Sequence, residues 1–118
     1  MADSFFQKSS LKQLRRLKAG SPNAAESFGA MSTFFSKAVS DGVLPAKTKE
    51  LIAIAVAHAT HCAYCIDHHV KAAAKAGATE AEINEAILVA IALTAGASFT
   101  HAGIALDSLD EAKAEAPK

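Results

Sequence analysis

At 118 residues the chain amounts to one domain, able to bury a core but with little surplus. Its 12 basic and 12 acidic residues cancel, which excludes the broad positive field that draws a protein to nucleic acid or to an anionic membrane. A hydrophobic fraction of 51% with only 6% aromatic residues reflects abundant alanine, which favours closely approaching helices over a sheet.

In chain order, residues 1–21 read as an arm with a short helix over about residues 10–18, ended by Gly20. Lys12, Arg15, Arg16 and Lys18 make that helix locally basic, most simply as a solvated face. No long apolar core follows the N-terminus, where Asp3 comes early. A signal peptide is therefore not expected, and the expected compartment is the cytoplasm.

A helical domain is expected over residues 22–110. Ser21 and Pro22 suit an N-cap and a first helical position. Phe28, Met31, Phe35 and Ala38 then recur at helical spacing and predict a core-facing stripe. This helix stops near Asp41 and Gly42, where glycine takes the left-handed conformation. A third helix runs from Pro45 to about His58 and is apolar all round over residues 51–57, which predicts burial. A fourth starts near Cys62 with Thr60 as its cap and ends at Ala76, with Gly77 beyond it. Thr79 and Glu82 form a capping box for a fifth helix carrying Ile83, Ile87, Ile91 and Leu93. Gly96 kinks or divides that helix, and a segment continues to about Leu109, giving about six helices.

Residues 86–106 carry no charge and are long enough to cross a bilayer. Thr94, Ser98, Thr100 and His101 lower the hydropathy, and acidic Glu85 and Asp107 flank the stretch instead of lysine or arginine. Burial in protein is the expected outcome, with no membrane. Residues 111–118 read as a frayed tail. No strand and no repeat is apparent, so the fold class is all-α. A small, apolar helical chain of this kind is also expected to bury surface against other subunits.

Residues 58–69 hold both cysteines and four of the five histidines. Cys62, Cys65 and His69 are spaced three and four apart and so share one helix face. Glu50 lies too far upstream to reach them along a continuous helix, about 18 Å away. Reversal at residues 59–61 as an αα-hairpin changes this. Helices three and four then run antiparallel, roughly 8–10 Å apart, and position 50 comes level with position 70. That predicts an alignment of Glu50, His69 and Cys65. Without the reversal, Glu50 is a surface carboxylate paired with Lys47 or Lys49.

An ordinary cysteine, with a pKa of about 8.5, is only a few per cent thiolate near neutrality. A helix N-terminus at Cys62 and an imidazole one turn beyond Cys65 both favour the anion. Glu50 acting through His69 would serve as general base. If one cysteine is oxidised to a sulfenic acid, the other is placed to condense with it.

Glu50 followed by Cys62-x-x-Cys65-x-x-x-His69 on an apolar helical hairpin resembles the alkylhydroperoxidase D-like group of the carboxymuconolactone decarboxylase superfamily. The resemblance spans about residues 22–109. It implies a single-domain helical bundle with a central hairpin, assembled as a homo-oligomer, a trimer or hexamer. It implies thiol-dependent reduction of organic hydroperoxides, without a cofactor, with recharging by a dithiol, thioredoxin-like or lipoyl reductant. It also makes Cys65 the peroxide-reactive thiol and Cys62 the resolving one, whereas the helix-end argument alone favours Cys62 as the more acidic.

Two departures stand out. The founding peroxidases carry histidine between the cysteines where this chain has Tyr64, which can still donate or relay a proton. They are also longer, with two helical halves where this chain supplies one, so a dimer would reproduce the longer chain. True lactone decarboxylases lack the cysteine pair, so decarboxylation is not expected.

The alternative is a zinc-binding or redox-sensing interaction protein without significant turnover. Zinc on Cys62, Cys65 and His69 would need a fourth ligand from His58, His61 or another chain. His58, His61 and His68 are simplest as satisfied surface or turn histidines, and His101 as one hydrogen-bonded inside an interface. Asp67 reads as an anion favoured by the helix dipole.

Overall fold

The protein is described here by a computed structural model covering residues 7–117. Among these residues there are five α-helices and no strand: α1 Leu14–Lys18, α2 Pro22–Val39, α3 Ala46–Ala59, α4 Ala63–Lys75 and α5 Glu80–Glu115, with a 3-10 turn Lys8–Gln13 ahead of α1. The all-α class is as expected.

Local chemistry sets each boundary. Ser21 accepts the Ala24 N–H at 3.0 Å with Pro22 in the first turn of α2. Between α2 and α3, the Asp41 carboxylate accepts the Ala46 N–H at 2.7 Å, and Lys49 Nζ donates to the Ser40 carbonyl at 2.8 Å. The expected capping box is present at α5, with both Thr79–Glu82 hydrogen bonds formed.

The two reversals on either side of α4 share one design. At the first, His61 N–H donates to the His58 carbonyl and Cys62 N–H to that of Ala57. At the second, Gly77 N–H donates to Ala74 and Ala78 N–H to Ala73. Both are Schellman closures, which need a left-handed residue just past the helix end. Glycine fills that place at φ 92° in the second, and His61 fills it at φ 56° in the first.

The core is small because the packing residues are small. Ile54 and Ala57 of α3, Ala73 of α4 and Ala90 of α5 are buried, Ile54 and Ala73 completely. Alanine at these points lets α4 and α5 approach α3 from two sides. Lys47 Nζ meets Glu82 Oε2 at 2.9 Å and joins the starts of α3 and α5.

Three sequence expectations are corrected. First, α5 passes through Gly96 without a break and runs to Glu115, so the helices number five and most of the tail is helical. Nothing lies within 4 Å of where a Gly96 Cβ would be. No neighbour forces a bend there, and good helix formers on both sides carry the ladder across. Thr94 donates back to the Ala90 carbonyl, and Thr100 and His101 to that of Ala97.

Second, Cys62 and not Thr60 is the cap of α4. The Thr60 hydroxyl is turned back onto the carbonyls of α3, at 3.0 Å from Val56 and 3.4 Å from Ala57.

Third, much of the apolar surface is uncovered within one chain. In α2, Met31 is 41% and Phe35 55% exposed, because that helix stands off the hairpin. In α5, Leu93 is 67% and Phe99 80% exposed. This helix is long and apolar enough, by length and composition only, to cross a membrane, and 6% of its most hydrophobic window is buried. The radius of gyration is 20.4 Å, against about 13–14 Å for a compact domain of this length.

The two reversals make a paired test. Gly77→Ala should lower the unfolding free energy by about 1 kcal/mol or more, and His61→Gly should not lower it, as urea titration would read.

Candidate active site

The hairpin α3–α4 builds the site. Glu50 is in the first turns of α3, on the face turned toward α4, and is only 7% exposed. From α4, His69 places Nδ1 2.6 Å from Glu50 Oε2. The ring N–H donates and the carboxylate accepts, a charge-assisted bond that fixes the imidazole orientation. Glu50 is thus neither on the surface nor paired with lysine. Lys47 goes to Glu82, and Lys49 to the carbonyl of Ser40.

Cys62 and Cys65 form a disulfide at the start of α4, with Cα atoms 5.2 Å apart. Both are half-buried. Cys62 is the N-cap in extended conformation, and its Sγ accepts the Cys65 N–H at 3.2 Å. Three converging backbone constraints therefore act at one sulfur: the left-handed His61 before it, the cap position itself, and the N–H directed at it. Cys65 and His69 follow a helical turn apart on α4. The four residues expected to act together thus belong to two adjacent helices joined by one tight turn.

The remaining histidines separate from this group. His58 Nδ1 donates to the Ile54 carbonyl at 2.8 Å within α3. His61 serves the turn, and His101 bonds within α5. His68 is exposed but stands edge-on to His69, the ring centres 4.9 Å apart, so it flanks the ring that Glu50 holds. Among the described residues, no three or more His, Cys, Asp or Glu side chains converge as metal ligands.

One feature had no signal in the sequence. The start of the N-terminal arm, at Gln7 and Lys8, meets α4 beside the disulfide. The Tyr64 hydroxyl, from between the two cysteines, donates to the Gln7 carbonyl at 3.2 Å. Lys8 Nζ meets Asp67 Oδ1 at 2.8 Å, and Lys71 reaches the same carboxylate at 3.1 Å. Asp67 thus anchors the arm in addition to sitting near the positive end of the helix. The Lys8 hydrogen bond, then that of Lys71, lowers the Asp67 pKa, and Asp67 in turn raises that of Lys8. These contacts join residues 57 and 59 apart in sequence, beyond the reach of any local pattern.

Comparison with known proteins agrees with this architecture. Residues 25–108 match the model of the carboxymuconolactone decarboxylase family. The protein named uncharacterized protein 4 in cox locus, from Paracoccus denitrificans, is 55% identical over 71 residues, which cover 60% of this chain and 64% of that protein's own length. An uncharacterized protein of Cupriavidus necator is 36% identical over 84 residues, covering 69% of this chain and 74% of the relative. Among solved structures, a carboxymuconolactone decarboxylase family protein from Legionella pneumophila is similar with a TM-score of 0.66 and 34% identity, over 88% of this chain and 90% of that one. A Methanobacterium thermoautotrophicum protein gives a TM-score of 0.63 at 35% identity, over 73% of this chain and 95% of its own.

Because a depressed carboxyl pKa stabilises a contact only while the group is ionised, the Lys8–Asp67 link should hold through neutral pH and be lost as pH falls through the lowered Asp67 value. In an NMR titration the Asp67 carboxyl should titrate below the usual aspartate range and move back toward it in Lys8→Ala.

Proposed function

The chain belongs to the carboxymuconolactone decarboxylase family, and from that premise we propose that it is a thiol-dependent peroxidase acting on organic hydroperoxides. The observation that carries the reading is the hydrogen bond from His69 to the buried Glu50, on the two helices that flank the Cys62–Cys65 disulfide. A purely structural disulfide would have no need of a carboxylate and an imidazole joined one helical turn away.

In the cycle, the reduced pair begins with Cys65, which the alkylhydroperoxidase D-like resemblance makes peroxide-reactive. His69 takes the thiol proton while Glu50 accepts from its Nδ1 and steadies the imidazolium. The Cys65 thiolate attacks the terminal peroxide oxygen, the O–O bond breaks, and the alkoxide leaves as alcohol with a proton from His69. Cys65 is then a sulfenic acid. Cys62 attacks its sulfur, water leaves, and the disulfide forms. An external dithiol returns two electrons and two protons. The helix N-terminus and the Cys65 N–H at Cys62 Sγ favour a thiolate there in the resolving step. Tyr64 has its hydroxyl on the Gln7 carbonyl, so its part is to position the arm, with proton relay a lesser role.

The reading includes self-assembly into a trimer or hexamer. One chain exposes 9275 Å², where a compact monomer of this mass would show roughly 6,000 Å². The excess, about 3,000 Å², is on the scale of permanent subunit interfaces, and the apolar faces of α2 and α5 supply it. Light scattering at micromolar concentration should give a mass of at least three chains, and a monomer would refute this part of the reading.

The chemistry is checked by peroxide consumption with a small dithiol. Wild type should turn over cumene hydroperoxide, and Cys65→Ser should not. Disulfide reduction without any peroxide turnover would refute peroxidase action in favour of a disulfide reductase.

For the relay, reduced Glu50→Gln and His69→Ala should each react with iodoacetamide at pH 7 about tenfold more slowly than wild type. His69→Ala should also lose about 1–3 kcal/mol of stability, because it leaves the buried carboxylate without its donor. Alkylation at the wild-type rate in both variants would rule the relay out.

A further inference from the structure

A thiol cycle must be recharged, and the arm whose first described residues meet α4 has the charge to select the molecule that does it. Between Gln7 and Gly20 the titratable residues are Lys8, Lys12, Arg15, Arg16 and Lys18, with no acid among them. Because the whole chain has zero net charge, the rest of the molecule is net negative and the basic charge is concentrated in the arm. Every residue of the arm from Gln7 to Gly20 is exposed.

The first described residues of the arm, Gln7 and Lys8, are held against the helix that begins with the redox pair. On α4, Tyr64, which lies between the cysteines, meets Gln7, and Asp67, which lies two residues beyond the second, meets Lys8. At Asp67 one carboxylate meets both Lys8 and Lys71, so the junction stays positive and the basic surface continues onto α4. Lys18 is over the Phe28 ring, 5.9 Å from its centre. Lys12, Arg15 and Arg16, within five residues of one another, enter no ion pair among the described residues. Beside them Leu11, Leu14 and Leu17 are 46%, 49% and 62% exposed, which offers apolar contact area next to the charge.

We propose that this arm is a docking surface for an acidic protein dithiol, which reduces the Cys62–Cys65 disulfide from the side where Gln7 and Lys8 meet α4. The inference rests on the thiol cycle above and names its partner by chemistry. Unpaired arginines select a partner rich in carboxylates, and an exposed leucine row calls for a protein surface and not a small thiol. In the exchange, one partner thiolate attacks one sulfur of the pair and the other sulfur leaves as a thiolate. The partner's second thiolate then breaks the mixed disulfide. The partner ends as a disulfide, and both cysteines end as thiols, having gained two electrons and two protons from it.

The experiment follows reduction of the disulfide in the full chain with no peroxide present, so failure of the peroxidase reading leaves it interpretable. The probes are a reduced thioredoxin of net negative charge and uncharged dithiothreitol, each applied to wild type and to Arg15→Glu/Arg16→Glu. With thioredoxin, the rate should fall about tenfold in the variant. It should also fall about tenfold for wild type between roughly 20 and 200 mM salt, as steered encounters do. With dithiothreitol, variant and wild type should agree within about twofold. An unchanged thioredoxin rate in the variant would overturn the proposal, and so would an equal loss with both reductants, which would make the arm a structural cover. Wild type sedimenting with phosphatidylglycerol vesicles, lost in the variant while the thioredoxin rate holds, would overturn it in favour of a lipid surface.

Discussion

The buried carboxylate of Glu50 is the constraint on which the arrangement depends. A carboxyl group only 7% exposed is tolerated when a donor meets it, and His69 meets it at 2.6 Å. That bond spans α3 and α4, so it fixes their register as well as the imidazole. Cys65 lies one helical turn before that imidazole on α4. In the proposed cycle the carboxylate acts on the sulfur pair at one remove, through the orientation of that ring.

The turn between the helices makes this register attainable. His61 takes a left-handed conformation that glycine fills at the equivalent reversal after α4. A side chain there is less favourable than glycine, and it stands directly before Cys62. The turn also leaves Cys62 as the cap of α4, with the Cys65 N–H directed at its sulfur. The reversal of the chain and the environment of the first sulfur are thus one piece of backbone geometry.

Around this compact hairpin the single chain is open. Four small or medium apolar residues and Glu50 are its buried set among the described residues, while α2 and the distal half of α5 project with apolar side chains uncovered. The charged surface is as unevenly distributed as the apolar one. The arm, whose start meets α4, gathers bases, while α2 and α5 offer apolar faces elsewhere, so the two kinds of surface suit different neighbours. In the reading proposed above, an acidic reductant takes the first and further copies of the chain take the second.

The sequence by itself determined what depends on neighbours a few residues apart. The Ser21 and Thr79 caps, the Gly77 stop, the helical class and the shared face of Cys62, Cys65 and His69 are all of this kind, because a helix makes three- and four-residue spacing a spatial relation. Glu50 was legible by one further step, a hairpin reversal that brings two helices level. Continuity through Gly96 was misjudged because a glycine breaks a helix only when something forces a bend, and its surroundings are not a local property. Only the tertiary structure decided that Cys62 caps α4, that the start of the arm meets Tyr64 and Asp67, and that α2 and α5 leave their apolar sides open. Each of these depends on which distant groups meet, and no periodicity in the chain encodes that.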